Sequence, residues 1–170
     1  LRRGEAALAI HRQQHNRHAE AVALGNQGII LRRSGRMEEA KKMYEASLQA
    51  NRAIGNRRLE GAILGNLGTL HVAAEEYDLA TSYYEQALVV HREVGNKHYE
   101  GVVLGNFGEL LFRMGNYGGA RVRLGVAIEV AAAVKDRIME GSFLAVMGQV
   151  LDALGDIEGA DASFVEAERI

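Results

Sequence analysis

GNRRLEGAILGN at residues 55–66 returns as GNKHYEGVVLGN at 95–106, forty positions later, with seven of twelve residues identical. The same offset orders whole columns. Glycine stands at Gly28, Gly68, Gly108 and Gly148, and alanine at Ala40, Ala80, Ala120 and Ala160. Leucine stands at Leu24, Leu64, Leu104 and Leu144, and glutamate at Glu20, Glu60, Glu100 and Glu140. A period in this range marks an array of stacked supersecondary units. The expected units are 17–56, 57–96, 97–136 and 137–170 within a single array over 1–170. Residues 1–16 read as the second helix of a preceding partial repeat, because Ala7, Leu8 and Asn16 take the places of Ser47, Leu48 and Asn56.

Each unit reads as two helices. In the second, Asn56 is a good N-cap, and Glu60 falls in or near the first turn, where the helix dipole favours an anion. That helix runs to about Ala73. Gly35, Gly115 and Gly155 mark its end in the other units, where a left-handed residue can close a helix. Glu75 replaces the glycine in the second unit, so that turn is expected to be less well specified. A second helix follows from about Tyr77 to Val94, with Ala80, Tyr84, Ala87 and Leu88 at helical spacing. No stretch sustains the alternation of a strand. The fold class is therefore all-α, a solenoid of αα-hairpins. Glycine inside a helix costs ~1 kcal/mol relative to alanine. The column Gly28, Gly68, Gly108, Gly148 is thus expected to be offset by close packing, with the alanine column as its neighbour.

Composition narrows the function. The chain has 170 residues, 48% hydrophobic and 25% charged, which is the balance of a folded domain. It has no cysteine, so disulfides and thiolate metal sites are out of reach. No apolar run approaches the ~20 residues of a membrane helix, and LRRGEAALAI at the start is not a signal peptide. A cytoplasmic setting is expected. Residue 1 is not methionine, so the sequence is expected to be a piece of a longer chain. Residues 1–60 carry 12 Lys/Arg and 6 Asp/Glu, whereas residues 61–170 carry 8 and 16. The total of −2 argues against nucleic-acid binding, which rests on many phosphate contacts. The gradient would orient a charged peptide or favour head-to-tail association of chains.

These residues resemble the tetratricopeptide repeat. That family's hairpin carries Leu-Gly and a later aromatic in the first helix, then Ala, aromatic, Ala in the second. Here the second unit has Leu67-Gly68, His71, Ala80, Tyr84 and Ala87, and the fourth has Met147-Gly148, Leu151, Ala160, Phe164 and Ala167. The 40-residue spacing and Leu-Gly-Asn at 24–26, 64–66 and 104–106 are similar to the long-repeat subclass. That subclass occurs in bacterial regulatory proteins, in the spindle-orientation protein named for the tripeptide and in kinesin light chains. Gln27 and Leu124 depart from the pattern, and the closing proline is missing throughout. The resemblance implies a right-handed superhelix whose first helices line a concave, peptide-binding face. It also implies that the apolar face of the last hairpin is exposed unless something covers it.

At ~100° per residue, Leu64, Leu67, Gly68 and His71 cluster on one side of the first helix. Ala62, Asn66, Thr69 and Ala73 lie opposite. The matching stripes are Val22, Asn26, Ile29, Arg33; then Val102, Asn106, Glu109, Arg113; then Ser142, Val146, Gln149, Ala153. Asparagine is poor inside a helix, yet Asn26, Asn66 and Asn106 recur there. An amide both donates and accepts, so it can pair with the backbone of an extended peptide. The alternative is an amide ladder between neighbouring repeats. Gly25, Gly65 and Gly105 would keep the adjacent floor low, and Val146 breaks the row. Arg33 and Arg113, with Arg32, would meet ligand carboxylates, unless Glu109 neutralises Arg113.

The candidate ligand residues are therefore Asn26, Arg33, Asn66, Thr69, Asn106, Glu109 and Arg113. No catalytic or metal-binding residue and no cofactor is expected. His11, His15 and His18 lack the carboxylate of H-E-x-x-H, and no nucleophile elbow or phosphate loop is present. The expected function is non-catalytic binding of a partner peptide or helix within a larger regulatory or scaffold protein. The alternative is a structural array that oligomerises through its uncapped ends or spaces other domains.

Overall fold

A computed structural model describes residues 16–170; the expected partial helix over 1–15, with His11 and His15, lies outside them. Among the described residues there are eight helices and no strand. They are α1 (Arg17–Arg33), α2 (Met37–Ala53), α3 (Arg57–Ala73), α4 (Tyr77–Glu93), α5 (Lys97–Arg113), α6 (Tyr117–Val134), α7 (Arg137–Ala153) and α8 (Ile157–Glu168). Consecutive helices pair as hairpins, α1 with α2, α3 with α4, α5 with α6 and α7 with α8. The chain forms two compact units, one ending at Val94 and one spanning Gly95–Ile170. Each holds two hairpins.

Local chemistry explains the helix ends. The Asn16 and Asn56 side chains accept from the amides of Ala19 and Leu59, and Asp136 and Asp156 do the same for Met139 and Gly159. Asp136 has a second task. Its Oδ2 lies 3.0 Å from Nε2 of His98, which ties the start of α7 to the start of α5. The Met139 amide and then His98 hold the Asp136 carboxyl below its ordinary value. Left-handed residues close the turns at Gly35 and Gly115, and Glu75 adopts the same conformation at φ 60°. The turn at Glu75 is as well formed as the others: Glu75 N donates to Val72 O and Glu76 N to His71 O, matching Gly35 and Arg36. What the missing glycine changes is strain rather than shape, since a β-carbon disfavours this region. Glu75→Gly is expected to raise stability by about 0.5–1 kcal/mol. An unchanged denaturation midpoint would show that Glu75 sits there without strain.

The core runs between the two helices of each hairpin and, within each unit, between its two hairpins. Ala40, Ala80, Ala120 and Ala160 are buried as expected. The glycines' close neighbours, however, are not these alanines. A β-carbon on Gly28, Gly68 or Gly148 would stand 2.5 Å from the ring of Tyr44, Tyr84 or Phe164. One on Gly108 would stand 2.6 Å from Leu124. The glycine makes room for the bulky residue across the hairpin, and the alanine is buried elsewhere in the same interface. Tyr44 and Tyr84 are 0% and 1% exposed, but Phe164 is 38% exposed because no described helix packs over it.

Within each unit the two hairpins meet at a second glycine. Gly25 and Gly105 are buried beneath side chains of the next first helix, Gly25 against Ile63 of α3 and Gly105 against Phe143 of α7. They do not lower the floor of a groove, as their place beside Asn26 and Asn106 had suggested. Their missing side chains let one hairpin seat on the next.

Candidate functional site

The exposed stripes are described unit by unit. In the first unit, α1 and α3 lie in contact. Val22 and Ile29 are half-buried, and Asn26 and Arg33 are exposed. On α3, Ala62, Asn66 and Thr69 are half-buried, and Ala73 is exposed. The opposite side of α3 is closed: Leu64, Leu67, Gly68 and His71 are buried. In the second unit Val102, Asn106 and Glu109 are half-buried and Arg113 is exposed. On α7, Ser142, Gln149 and Ala153 are exposed around a half-buried Val146.

Within these stripes the polar groups differ in what they have left to offer. No side-chain hydrogen bond joins Asn26 to Asn66, so the amide ladder does not form within this unit, and the Asn106 amide makes no bond within its own. Thr69 is engaged: its hydroxyl lies 3.2 Å from Gly65 O and 3.2 Å from the Tyr84 hydroxyl. Glu109 accepts from Arg113 at 2.7 Å. That pair neutralises the charge of the α5 stripe. Arg33 makes no ion pair among the described residues, whereas Arg32 turns towards Tyr44 with its Nε buried. Burial pushes the Tyr44 hydroxyl's proton affinity up, and the Arg32 guanidinium opposes it.

The remaining singled-out residues are structural. His71 is 1% exposed, stacks on Tyr83 at 5.1 Å between ring centres, and meets the Glu76 carboxylate through Nδ1. Arg123 lies 4.9 Å over the Phe107 ring. His18 Nδ1 is 3.4 Å from the Asn56 amide. Among the described residues no three His, Asp or Glu side chains cluster as a metal site needs, and no helix is long and apolar enough to cross a membrane.

Sequence reasoning missed one feature of this surface. Glu60 is 4% exposed and is gripped from two sides. Arg52 Nε of α2 donates at 2.8 Å and Arg57 Nη1 at 2.6 Å. Burial pushes the Glu60 carboxyl up, but the hydrogen bonds from Arg52 and then Arg57 outweigh it and hold it below the ordinary 4.5. The signal was the Glu20, Glu60, Glu100, Glu140 column. A glutamate needed only for the helix dipole would not require burial.

Comparison with known families decides the identity of the fold. Models of the tetratricopeptide repeat match residues 21–54 and 59–133. The chain belongs to the tetratricopeptide repeat family. Such repeats generally mediate protein–protein interactions, and the family is typically a non-catalytic scaffold. Among solved structures, this tetratricopeptide repeat chain is similar to BtubC (BKLC) from P. vanneervenii, with a TM-score of 0.82 at 21% identity. The likeness covers 90% of this chain and 63% of that one, so the chain spans under two thirds of that protein's length. At this identity it speaks for the fold alone. No curated protein matches the sequence.

Proposed function

We propose that the chain is a non-catalytic protein-interaction module that holds a partner peptide along the exposed stripes of its first helices, as part of a larger regulatory or scaffold protein. One observation carries this reading. Asn26, Asn66 and Asn106 sit inside helices, where asparagine is unfavourable, and their amides are not used by the hairpins that carry them. A peptide backbone supplies both the donor and the acceptor that such amides lack. Arg33, without an ion pair among the described residues, offers its guanidinium to a ligand carboxylate, and a carboxylate reaching Arg113 must displace Glu109. Arg33→Ala is therefore expected to weaken binding more than Arg113→Ala.

Asn66→Ala separates a ligand contact from a structural one. Alanine is the better helix former, so the variant is expected to gain about 0.5 kcal/mol of stability. Loss of one peptide hydrogen bond is expected to weaken binding about fivefold. Calorimetry with a peptide selected on an array, together with thermal unfolding of both proteins, measures the two effects. Unchanged affinity in Asn66→Ala, or a loss of stability there, would overturn this assignment.

A further inference from the structure

A cavity of about 360 Å³ opens in the first unit between the end of α2, the start of α3 and the middle of α4. Arg52, Leu64, Glu85, Val89 and Val90 are among its lining residues. It faces away from the candidate peptide stripe. At ~100° per residue, the α3 residues that line it, Glu60 and Leu64, lie opposite Asn66 and Thr69.

Two of its side chains keep polar atoms without a partner among the described residues. Glu60 takes only the Nε of Arg52, and no partner holds the Arg52 terminal nitrogens among the described residues. Glu85, exposed on α4, makes no ion pair or hydrogen bond among them. Leu64 and Val90 are buried, and Val89 is 54% exposed. The repeat itself supplies a comparison. Where this hairpin has Val89, the others carry Gln49, Glu129 and Arg169. Arg52 recurs in the sequence at Arg12 and Arg92, and α6 has Ala132 in its place. The α6–α7–α8 junction therefore lacks the arginine and has a long polar side chain in place of the valine. Only the set Arg52, Glu85 and Val89 joins an arginine, a glutamate and an apolar residue at these places, since the other aligned sets are Arg12, Glu45, Gln49; Arg92, Gly125, Glu129; and Ala132, Val165, Arg169.

We propose that this cavity is a second ligand site, which takes a peptide segment carrying an acidic, a basic and an apolar side chain together. The apolar side chain covers Leu64, Val89 and Val90, the carboxylate meets the free end of the Arg52 guanidinium, and the cation meets Glu85. A ligand carrying both signs leaves neither wall's charge unpaired, whereas a dianion would face Glu85 and a dication Arg52. Glu60 holds Arg52 in place for this contact, so Arg52 is prearranged rather than recruited from solvent.

The probes are the blocked tripeptides acetyl-Glu-Leu-Lys-amide and acetyl-Lys-Leu-Glu-amide, with acetyl-Gln-Leu-Gln-amide as the neutral control. They are titrated into the full chain while the methyl signals of Leu64, Val89 and Val90 are followed by NMR. At least one charged tripeptide is expected to shift those methyls saturably in the millimolar range and to leave the Ile29 methyl in place. Arg52→Gln and Glu85→Gln are each expected to weaken that binding by about two- to fivefold, the upper range for an exposed ion pair. Val89→Gln, which installs the residue of the first hairpin, is expected to replace part of the apolar wall by an amide and so weaken the shifts of Leu64 and Val90. Glu85 and Val89 are both exposed, so these two variants are expected to remain folded, as circular dichroism would verify. Asn66→Ala is expected to leave tripeptide binding unchanged, so a failure of the stripe and a failure of the cavity are distinguishable. The site is refuted if neither charged tripeptide shifts the three methyls, if the neutral control binds as tightly, or if Val89→Gln binds as the parent does.

Discussion

Gly68→Leu is expected to destabilise the first unit by about 3 kcal/mol, at the upper end of what overpacked cores lose. The reason is geometric. Even a β-carbon at this position would lie 2.5 Å from the Tyr84 ring, and that ring is 1% exposed and has nowhere to swing. The leucine must push α3 and α4 apart, which also strains the Thr69–Tyr84 hydroxyl contact. Gly68→Ala is expected to lose less, because its methyl group is small and alanine recovers ~1 kcal/mol of helix propensity. Urea denaturation of the set measures each step. An unchanged midpoint in Gly68→Leu would mean that the ring does not rest on the glycine.

Breaking the Glu60 contact is the next largest effect. Glu60→Ala is expected to cost about 2 kcal/mol near neutral pH, the usual worth of hydrogen bonds to a charged group. The partners Arg52 and Arg57 have side chains 50% and 43% exposed, and Arg57 keeps Glu93 as a partner, so losing Glu60 adds no penalty of a buried, unpaired charge. The dependence on acid follows from the depressed carboxyl. Its contribution is complete above the ordinary value of 4.5 and disappears as pH falls through the lower folded value. Glu60→Ala and the parent are therefore expected to converge in stability as the solution is acidified. A double-mutant cycle with Arg52→Ala isolates the pair from any helix-dipole effect of Glu60. A coupling energy of zero would reduce Glu60 to a dipole-stabilising residue with no role between hairpins.

Much of the architecture was readable before any coordinates. Asn56 as a cap, Gly35 and Gly115 as left-handed turns, and the buried alanine column all rest on local rules that hold wherever a helix begins, ends or meets another. That Asn26, Asn66 and Asn106 lie away from the fully buried side of their helices was readable for a similar reason, since helical periodicity alone says which residues turn away from a hairpin's own core. The glycines beside those asparagines were misread. Periodicity gives the direction of Gly25 and Gly105 but not what arrives there, and Ile63 and Phe143 come from a hairpin about 38 residues further on. The paired Glu109 and Arg113 left two readings open, and only their geometry shows that they spend their charges on each other.

The sequence by itself determined the repeat, its two-helix unit, and the side of each helix that is hidden, because a forty-residue period and a 3.6-residue period are properties of the chain alone. Only the tertiary structure decided which side chain fills the space above each glycine, that Glu60 is buried between two arginines, and that a cavity lined by Arg52 and Glu85 opens beside α4. Those outcomes depend on residues distant in sequence meeting at ångström precision. Burial, charge pairing and free volume arise only once the hairpins have packed.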